Sequence, residues 1–380
     1  MPNTLHELYS IKLQRSLYGL KQFGRMWYHI LNEYLYNEGY KNNTICPCVF
    51  IKRSDTGFAI IVVYVVDVNL IGSPEELSNA YEYLKKEFEV KDLEKTKVCL
   101  GLELKHKDNG ILVHQSAYTK RMLKRFNWTR LILLSTPMIV RSLDLEKDPF
   151  RPKDPMEDRR LVWKLNYLTM TGPDISFPVS IVSRFLNSPC DSHWNAIIRI
   201  VKYIKGSPGK GLVFTDRAHL MSLGIRILIR AGDENDRRST YGYCIFIGGN
   251  MISWKSKKQT VVARSSTEAE YRAMSHAICE LLWLKHLLQE LHFCDVGPIE
   301  LVCDNQSALH LSSNPVFHER TKHIEVDCHF LREKILSGVI KTSFVNSRDQ
   351  LADIFTKSLR GPRITYICDK MDAYDVYAPP

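Results

Sequence analysis

Apolar residues recur at helical spacing through Leu17, Leu20, Trp27, Leu31, Tyr34 and Leu35, and Gly39 follows as a stop signal, so a helix is predicted within residues 17–40. Residues 48–53 and 58–66 are rich in β-branched and aromatic side chains and flank Ser54-Asp55-Thr56-Gly57, a turn signal, so they read as a hairpin. Asp67 splits the apolar runs 58–66 and 68–71, which puts a carboxylate at a turn between strands. Residues 74–88 are amphipathic, with Ser73 placed as N-cap and Glu76 three residues on, the spacing of a capping box. A stretch rich in Pro, Asp and Lys over 143–158 reads as a linker, and helical spacing resumes over 161–167, 175–185 and 194–204. Gly206-Ser207-Pro208-Gly209-Lys210-Gly211 marks a second boundary.

Beyond that boundary the pattern changes. Residues 224–230, 241–247 and 251–255 read as strands, with Gly248-Gly249-Asn250 as the turn joining the last two. The longest predicted helix covers 265 to about 293. Ser265 and Glu268 form its capping box, and Ala269, Ala273, Ala277, Leu281, Leu284, Leu288 and Leu291 make its buried stripe. Residues 299–303 are a buried strand with Asp304 at its exit, followed by helix 325–336, strand 339–345 and helix 349–357. Three strands, a helix and then alternating strands and helices imply a mixed α/β (α+β) domain with no internal repeat.

A chain of 380 residues, 44% hydrophobic and 25% charged, is long enough to bury more than one core. Its net charge of +10 favours a polyanionic partner, because Lys and Arg that neutralise phosphates release counterions. Charge alone does not single out nucleic acid. Ten cysteines are scattered, and the pair Cys46-Pro47-Cys48 matches neither a CxxC zinc or redox site nor a small secreted disulfide framework. The longest apolar run, 58–66, is half a membrane span, and no basic-then-apolar signal opens the chain. An intracellular location, cytoplasmic or nuclear, with no membrane partner is expected.

Chemistry concentrates in the last third of the chain. Glu270 falls in the first turns of the long helix, Asp304 at the end of a central strand, and Asp353 in the last predicted helix. Phosphodiester cleavage by two-metal catalysis needs several carboxylates around a Mg2+ pair about 3.5–4 Å apart, and hard oxygen ligands suit that ion. Taken singly, each acid is more often a solvated or capping residue.

SSTEAEY (265–271), CDNQSA (303–308), NPVFHERTKHIE (314–325) and DQLADIFTK (349–357) resemble the ribonuclease H domain of copia-type LTR-retrotransposon Pol polyproteins. RSLYGLKQ (15–22), VYVVDVNLIGS (63–73), FEVKDL (88–93), LGLEL (100–104), STP (135–137) and GPDISF (172–177) resemble the reverse transcriptase and connection segments of the same polyprotein. The likeness spans 11–359. It implies an RNA-directed DNA polymerase and ribonuclease H that use Mg2+, act on RNA–DNA hybrids or other nucleic acid, and work beside other products of the polyprotein. In fold it implies a partial palm, thumb and connection followed by a ribonuclease H-like mixed sheet. The matching limits are 1–142 for the partial reverse transcriptase, 143–210 for linker and connection helices, 211–359 for the ribonuclease H-like domain and 360–380 for a divergent tail.

By motif, Glu270, Asp304 and Asp353 match the family's ribonuclease H metal ligands, and Asp67 matches the second aspartate of the polymerase turn. The family reads Tyr-Val-Asp-Asp at that turn; this chain reads Tyr64-Val65-Val66-Asp67, so a side chain that cannot bind Mg2+ replaces one ligand. The family's third polymerase aspartate lies upstream of LYGLKQ, in a segment this chain does not contain. Before Ala231-Gly232-Asp233, the family strand Gly-Tyr-Thr-Asp-Ala-Asp-Trp supplies the central ribonuclease ligand. Here the stretch runs from Gly224 to Arg230, with Ile227 at the ligand's position. Family codons TAT ACG GAT GCT GAT TGG, read one nucleotide out of frame, give Ile-Arg-Met-Leu-Ile-Gly, which differs from residues 225–230 at two residues, each one base away. A pair of compensating indels would account for this and mark a decaying copy, with both activities expected to be lost. The alternative is a noncatalytic nucleic-acid-binding or vestigial protein that keeps the fold.

Lys21 and Arg25 are candidates for contacts to primer or template phosphates, and Lys255, Lys257 and Lys258, with Arg237 and Arg238, for the backbone of a hybrid. His318 and His323 are candidates for substrate approach or proton transfer. Solvated helix faces and local hydrogen bonds are the plain alternatives for each.

Overall fold

The structure is a computed structural model that describes residues 20, 22–55, 57–65, 67–126, 132–139, 155–187, 189–217, 225–232, 238–293, 297–313 and 325–377, with the backbone alone at 155, 225–232, 313 and 325–328. Lys21, Val66, Arg237, His318, His323 and most of the 143–158 linker lie outside the described residues. The chain forms two compact units, Met1–Lys95 and Thr96–Pro380. Among the described residues no helix is long and apolar enough to cross a membrane.

In the first unit, helices α1 (Phe23–Asn37) and α2 (Pro74–Glu87) pack on an antiparallel sheet whose strand order is β1 (Lys41–Asn42), β2 (Val49–Ser54), β3 (Gly57–Tyr64), β4 (Asp67–Gly72). Strand alternation sorts the faces: Ala59, Ile61 and Val63 share one core with Leu31 and Leu35 of α1 and Ala80 and Leu84 of α2. The predicted capping box of α2 does not form. Ser73 is extended at the N-cap, but its hydroxyl accepts from the Phe58 N–H at 3.3 Å, and Glu76 accepts from the Ser54 hydroxyl at 2.5 Å. The hairpin turn is the cause, since a Cβ added at Gly57 would stand 2.0 Å from Ser73 Oγ, so the glycine seats the turn directly against that hydroxyl.

The turn joining β3 to β4 is tight, with Tyr64 opposite Asp67. It holds Val65 at φ 55°, a left-handed conformation that costs a β-branched residue roughly 1–2 kcal/mol. Asn tolerates this region, so Val65→Asn is expected to stabilise the unit by about 1 kcal/mol in urea unfolding. An unchanged or lower midpoint would show that the turn stores no strain.

The second unit contains two five-stranded sheets. The first is antiparallel, in the order β14 (Ala373–Asp375), β8 (Lys210–Thr215), β7 (Gly110–His114), β6 (Leu102–Lys107), β5 (Val98–Cys99). Glu103 of the LGLEL motif accepts from the Ala117 N–H at 2.7 Å and so caps α3 (Ser116–Arg125). This helix shares an apolar cluster with α4 (Pro155–Leu168), α5 (Ser176–Val182) and α6 (Asp191–Gly206), centred on Leu161, Leu165, Ile197 and Val201.

The second sheet has the order β11 (Asn250–Lys258), β10 (Thr240–Ile247), β9 (Ile225–Gly232), β12 (Ile299–Cys303), β13 (Ile340–Phe344). Strand β9 pairs antiparallel with β10 and parallel with β12, so the sheet is mixed as expected. The long helix α7 (Ser266–Glu290) covers one face, where Ala269, Ala273, Ala277 and Leu281 meet Tyr243, Ile245 and Leu301. Its N-cap is Ser265, whose hydroxyl accepts from the Glu268 N–H at 3.1 Å, while the Glu268 carboxylate returns to the Arg264 N–H at 2.8 Å. On the opposite face, Cys244, Phe246 and Val302 pack with Phe355 and Ile367. Gly242 permits this closeness, because a Cβ there would lie 2.4 Å from that of Phe355.

The chain is divided differently from the limits read in the sequence. The break between units falls after Lys95, not near 142, because β7 pairs with β8 and α3 packs among the helices that follow. Around residues 206–211, α6 ends at Gly206 and β8 begins at Lys210, both in the second unit. Within residues 360–380, α10 (Gly361–Lys370) buries Ile364, Ile367 and Cys368, and β14 pairs with β8. The predicted helix 349–357 is a 3-10 turn, Leu351–Phe355, while α8 (Gln306–Ser313) and α9 (Glu325–Leu336), the latter at its predicted limits, lie between β12 and β13.

Candidate functional site

Three of the acids singled out in the sequence stand around the mixed sheet. Asp304 directly follows β12, half-buried, and accepts from the Ser347 hydroxyl at 2.9 Å. Glu270 sits in the first turns of α7 and is 1% exposed. Asp353 is buried in the 3-10 turn, with Lys357 Nζ 2.9 Å from Oδ1 and Arg363 3.8 Å from Oδ2. Hard oxygen donors of this kind suit Mg2+. Yet among the described residues no group of three or more His, Cys, Asp or Glu could hold a metal ion, and two cations already balance Asp353. The residues present do not fit the ion pair that the resemblance implies.

The register of β9 explains part of the misfit. Ile227 lies opposite Leu301 and Ile245, while Ile229 lies opposite Cys303, the residue before Asp304. Motif likeness put the missing ligand at 227, which is two residues, roughly 7 Å of strand, short of the end of β12. Strand pairing puts 229 level with that end. Asp67 belongs to the other unit, exposed at the first position of β4. Arg25 is exposed on α1.

Lys255, Lys257 and Lys258 are brought together. Strand β11 is an edge of its sheet, and the register Tyr241↔Lys257, Tyr243↔Lys255 sets both lysines beside tyrosines of the core that α7 covers. Residues His276, Cys279, Glu280 and Trp283, one face of α7 at i, i+3, i+4 and i+7, form the opposite wall of an open cavity of about 340 Å³. Its rim carries the exposed Lys255 and Lys257 and the partly exposed Trp283, at 46%. The His276 ring stacks on Tyr241, with centroids 5.3 Å apart. Burial first, and then the Glu280 charge, raise the Tyr243 hydroxyl well above its ordinary range, so it remains a donor to Glu280. The sequence reading found the lysines by their charge and missed the α7 wall, whose spacing was the available signal.

The first unit thus holds a hairpin with an aspartate just past its turn, and the second a mixed sheet under one long helix with acids at 270, 304 and 353. Residues 5–140 match the family described as reverse transcriptase (RNA-dependent DNA polymerase). Over most of its length the chain is similar to copia-type, retrovirus-related Pol polyproteins of transposons, at 35–38% identity. It is 38% identical over 353 residues to the retrovirus-related Pol polyprotein from transposon RE1 of Arabidopsis thaliana, a match covering 92% of this chain and 24% of that protein. An uncharacterized mitochondrial protein of Arabidopsis thaliana is 34% identical over 224 residues, covering 59% of this chain and 93% of its own length. Among solved structures, an N-terminal RNase H domain from Mycobacterium tuberculosis aligns with 12% identity and a TM-score of 0.27, over 39% of this chain and 97% of that one. This chain spans about a quarter of the length of the transposon polyprotein it matches.

Proposed function

We propose that this chain is a reverse transcriptase and ribonuclease H segment whose catalytic sites have decayed and whose remaining capability is binding nucleic acid, RNA–DNA hybrids by descent. The observation that carries the reading is β9, where Ile227 and Ile229 stand in the strand between β10 and β12 and the family strand has aspartates. Asp67, Glu270, Asp304 and Asp353 are remnants of two metal sites that hold Mg2+ in the family. Lys255, Lys257 and Lys258, with Arg25 and Lys21, are the contacts to phosphates, consistent with a net charge of +10. In this organisation the first unit derives from the polymerase palm, and the second joins thumb and connection elements to the ribonuclease H-type sheet. Work inside the cell, cytoplasmic or nuclear, beside other polyprotein products completes the proposal.

A primed RNA template tests the polymerase half. No extension is expected with Mg2+ or Mn2+, because Val66 replaces a carboxylate that would hold the ions stabilising the transferred phosphoryl group. The same preparation is expected to retard an RNA–DNA hybrid with an affinity that falls steeply with salt. Extension that disappears in Asp67→Asn would overturn the claim of decay, and failure to bind any nucleic acid at low salt would remove the binding claim.

A further inference from the structure

We propose that the groove between α7 and the edge strand β11 is a binding site for a single nucleic-acid strand, with one base stacked on Trp283 and the backbone phosphates held by Lys255 and Lys257. The inference rests on the nucleic-acid reading above and specifies which form of nucleic acid this surface takes. Three cations, Lys255, Lys257 and Lys258, line the groove with one acid, Glu280, and that acid already accepts from Tyr243 and, at 3.4 Å, from the Ser253 hydroxyl. The local balance therefore suits an anion.

Two features favour a single strand over a duplex. Trp283 is 46% exposed at the end of a wall that includes His276 and Tyr241, whose rings are stacked at an interplanar angle of 17°. A base can lie on an exposed aromatic face only when it is free of a paired stack, and every base has such a face, so the recognition is tolerant of sequence. The stacking end of the groove also stands well away from Glu270. Trp283 lies thirteen residues after Glu270 on α7, roughly 20 Å along the helix axis. Loss of cleavage chemistry at the sheet centre would leave this surface intact.

The test measures fluorescence anisotropy of a short labelled oligothymidylate with the full chain over a range of salt concentrations. Trp283→Leu keeps apolar bulk but offers no stacking face, and it is expected to weaken binding about tenfold at fixed salt with the salt slope unchanged. Trp283→Phe should recover most of that loss. Lys255→Ala with Lys257→Ala should flatten the slope of log K against log salt by about 1.4, two phosphate contacts at about 0.7 each for single strands. If these variants bind like the native chain while the native chain binds nucleic acid, the groove assignment falls and the broader reading stands. If the native chain binds neither the oligonucleotide nor a hybrid, both fall together. Displacement of the oligonucleotide by polyglutamate at equal charge concentration would show that the groove takes an acidic peptide, and would overturn the proposal.

Discussion

The RNA strand of an RNA–DNA hybrid is expected to survive incubation with the purified chain and Mg2+, with cleavage near background. Three positions decide this outcome. Residue 227 or 229 must carry the carboxylate that bridges the acids of α7 and β12, and both are isoleucine. Asp353, the third acid, is engaged by Lys357 and Arg363. Rewriting the strand as Ile225→Tyr, Arg226→Thr, Ile227→Asp, Leu228→Ala, Ile229→Asp and Arg230→Trp is expected to raise cleavage by about a hundredfold or more, since removing even one oriented stabilising group from such sites costs roughly 10²–10³. Asp304→Asn in that background should return it to the starting level. The register predicts more from Ile229→Asp alone than from Ile227→Asp alone, because 229 is level with Cys303. A readout independent of activity is the melting temperature: Mg2+ should raise it in the rewritten chain, where it relieves crowded carboxylates, and leave the native chain unchanged. Substantial cleavage by the native chain that vanishes in Asp304→Asn would show that the remaining acids suffice.

Parts of this architecture were legible because burial writes a periodic signal. Residues 299–303 read as a strand and 325–336 as a helix, and the structure has β12 and α9 at those limits. The N-cap of α7 was equally plain, since Ser265 and Glu268 stand directly before an alanine-rich stripe. What failed was one-sided or distributed. Strand β6 carries Lys105, His106 and Lys107 on exposed positions, so its alternation is faint. Helix α10 had a signal that was not used: Ile364, Ile367, Cys368 and Met371 fall at i, i+3, i+4 and i+7, and all four are buried. Motif likeness stops at 359 and does not reach it. Register is a different kind of omission. Motifs order residues along one strand but carry no information about which residue of β12 stands beside Ile227. The groove shows the same limit, because the lysines are adjacent in sequence while Trp283 and His276 reach them only through the packing of α7 on the sheet.

Lys210→Met is expected to destabilise the second unit by about 3–5 kcal/mol, the effect of leaving a buried carboxylate without its cation. That carboxylate is Asp174 of the GPDISF motif, with its side chain 1% exposed and the Lys210 ammonium 2.6 Å away. The Tyr203 hydroxyl donates to the same carboxylate oxygen, and Lys210 also lies 3.3 Å from Cys368 Sγ, so the cluster ties α6, β8 and α10 to the turn before α5. Burial opposes the charge of Lys210, but Asp174, Cys368 and Tyr203 outweigh it and hold the ammonium well above the ordinary lysine range. Burial, followed by the Asp174 charge, pushes the Cys368 thiol up to about 12, so the thiol stays protonated beside the ion pair. The sign of the linkage follows: a cation whose folded pKa is raised contributes its full stability below the unfolded value of about 10.4, and loses it only as pH rises through the folded value. Between pH 6 and pH 9 the native pair therefore keeps its full contribution, and the cost of Lys210→Met is expected to be smaller at pH 6, where the unpaired buried carboxylate can take up a proton, than at pH 9. Pairing it with Asp174→Leu should recover most of the loss, because a buried ion pair replaced by apolar groups of similar volume is often neutral. Urea unfolding followed by tryptophan fluorescence measures both variants against the native chain. A single Lys210→Met change costing less than about 1 kcal/mol would mean that water reaches Asp174 and that the cluster behaves as a surface ion pair.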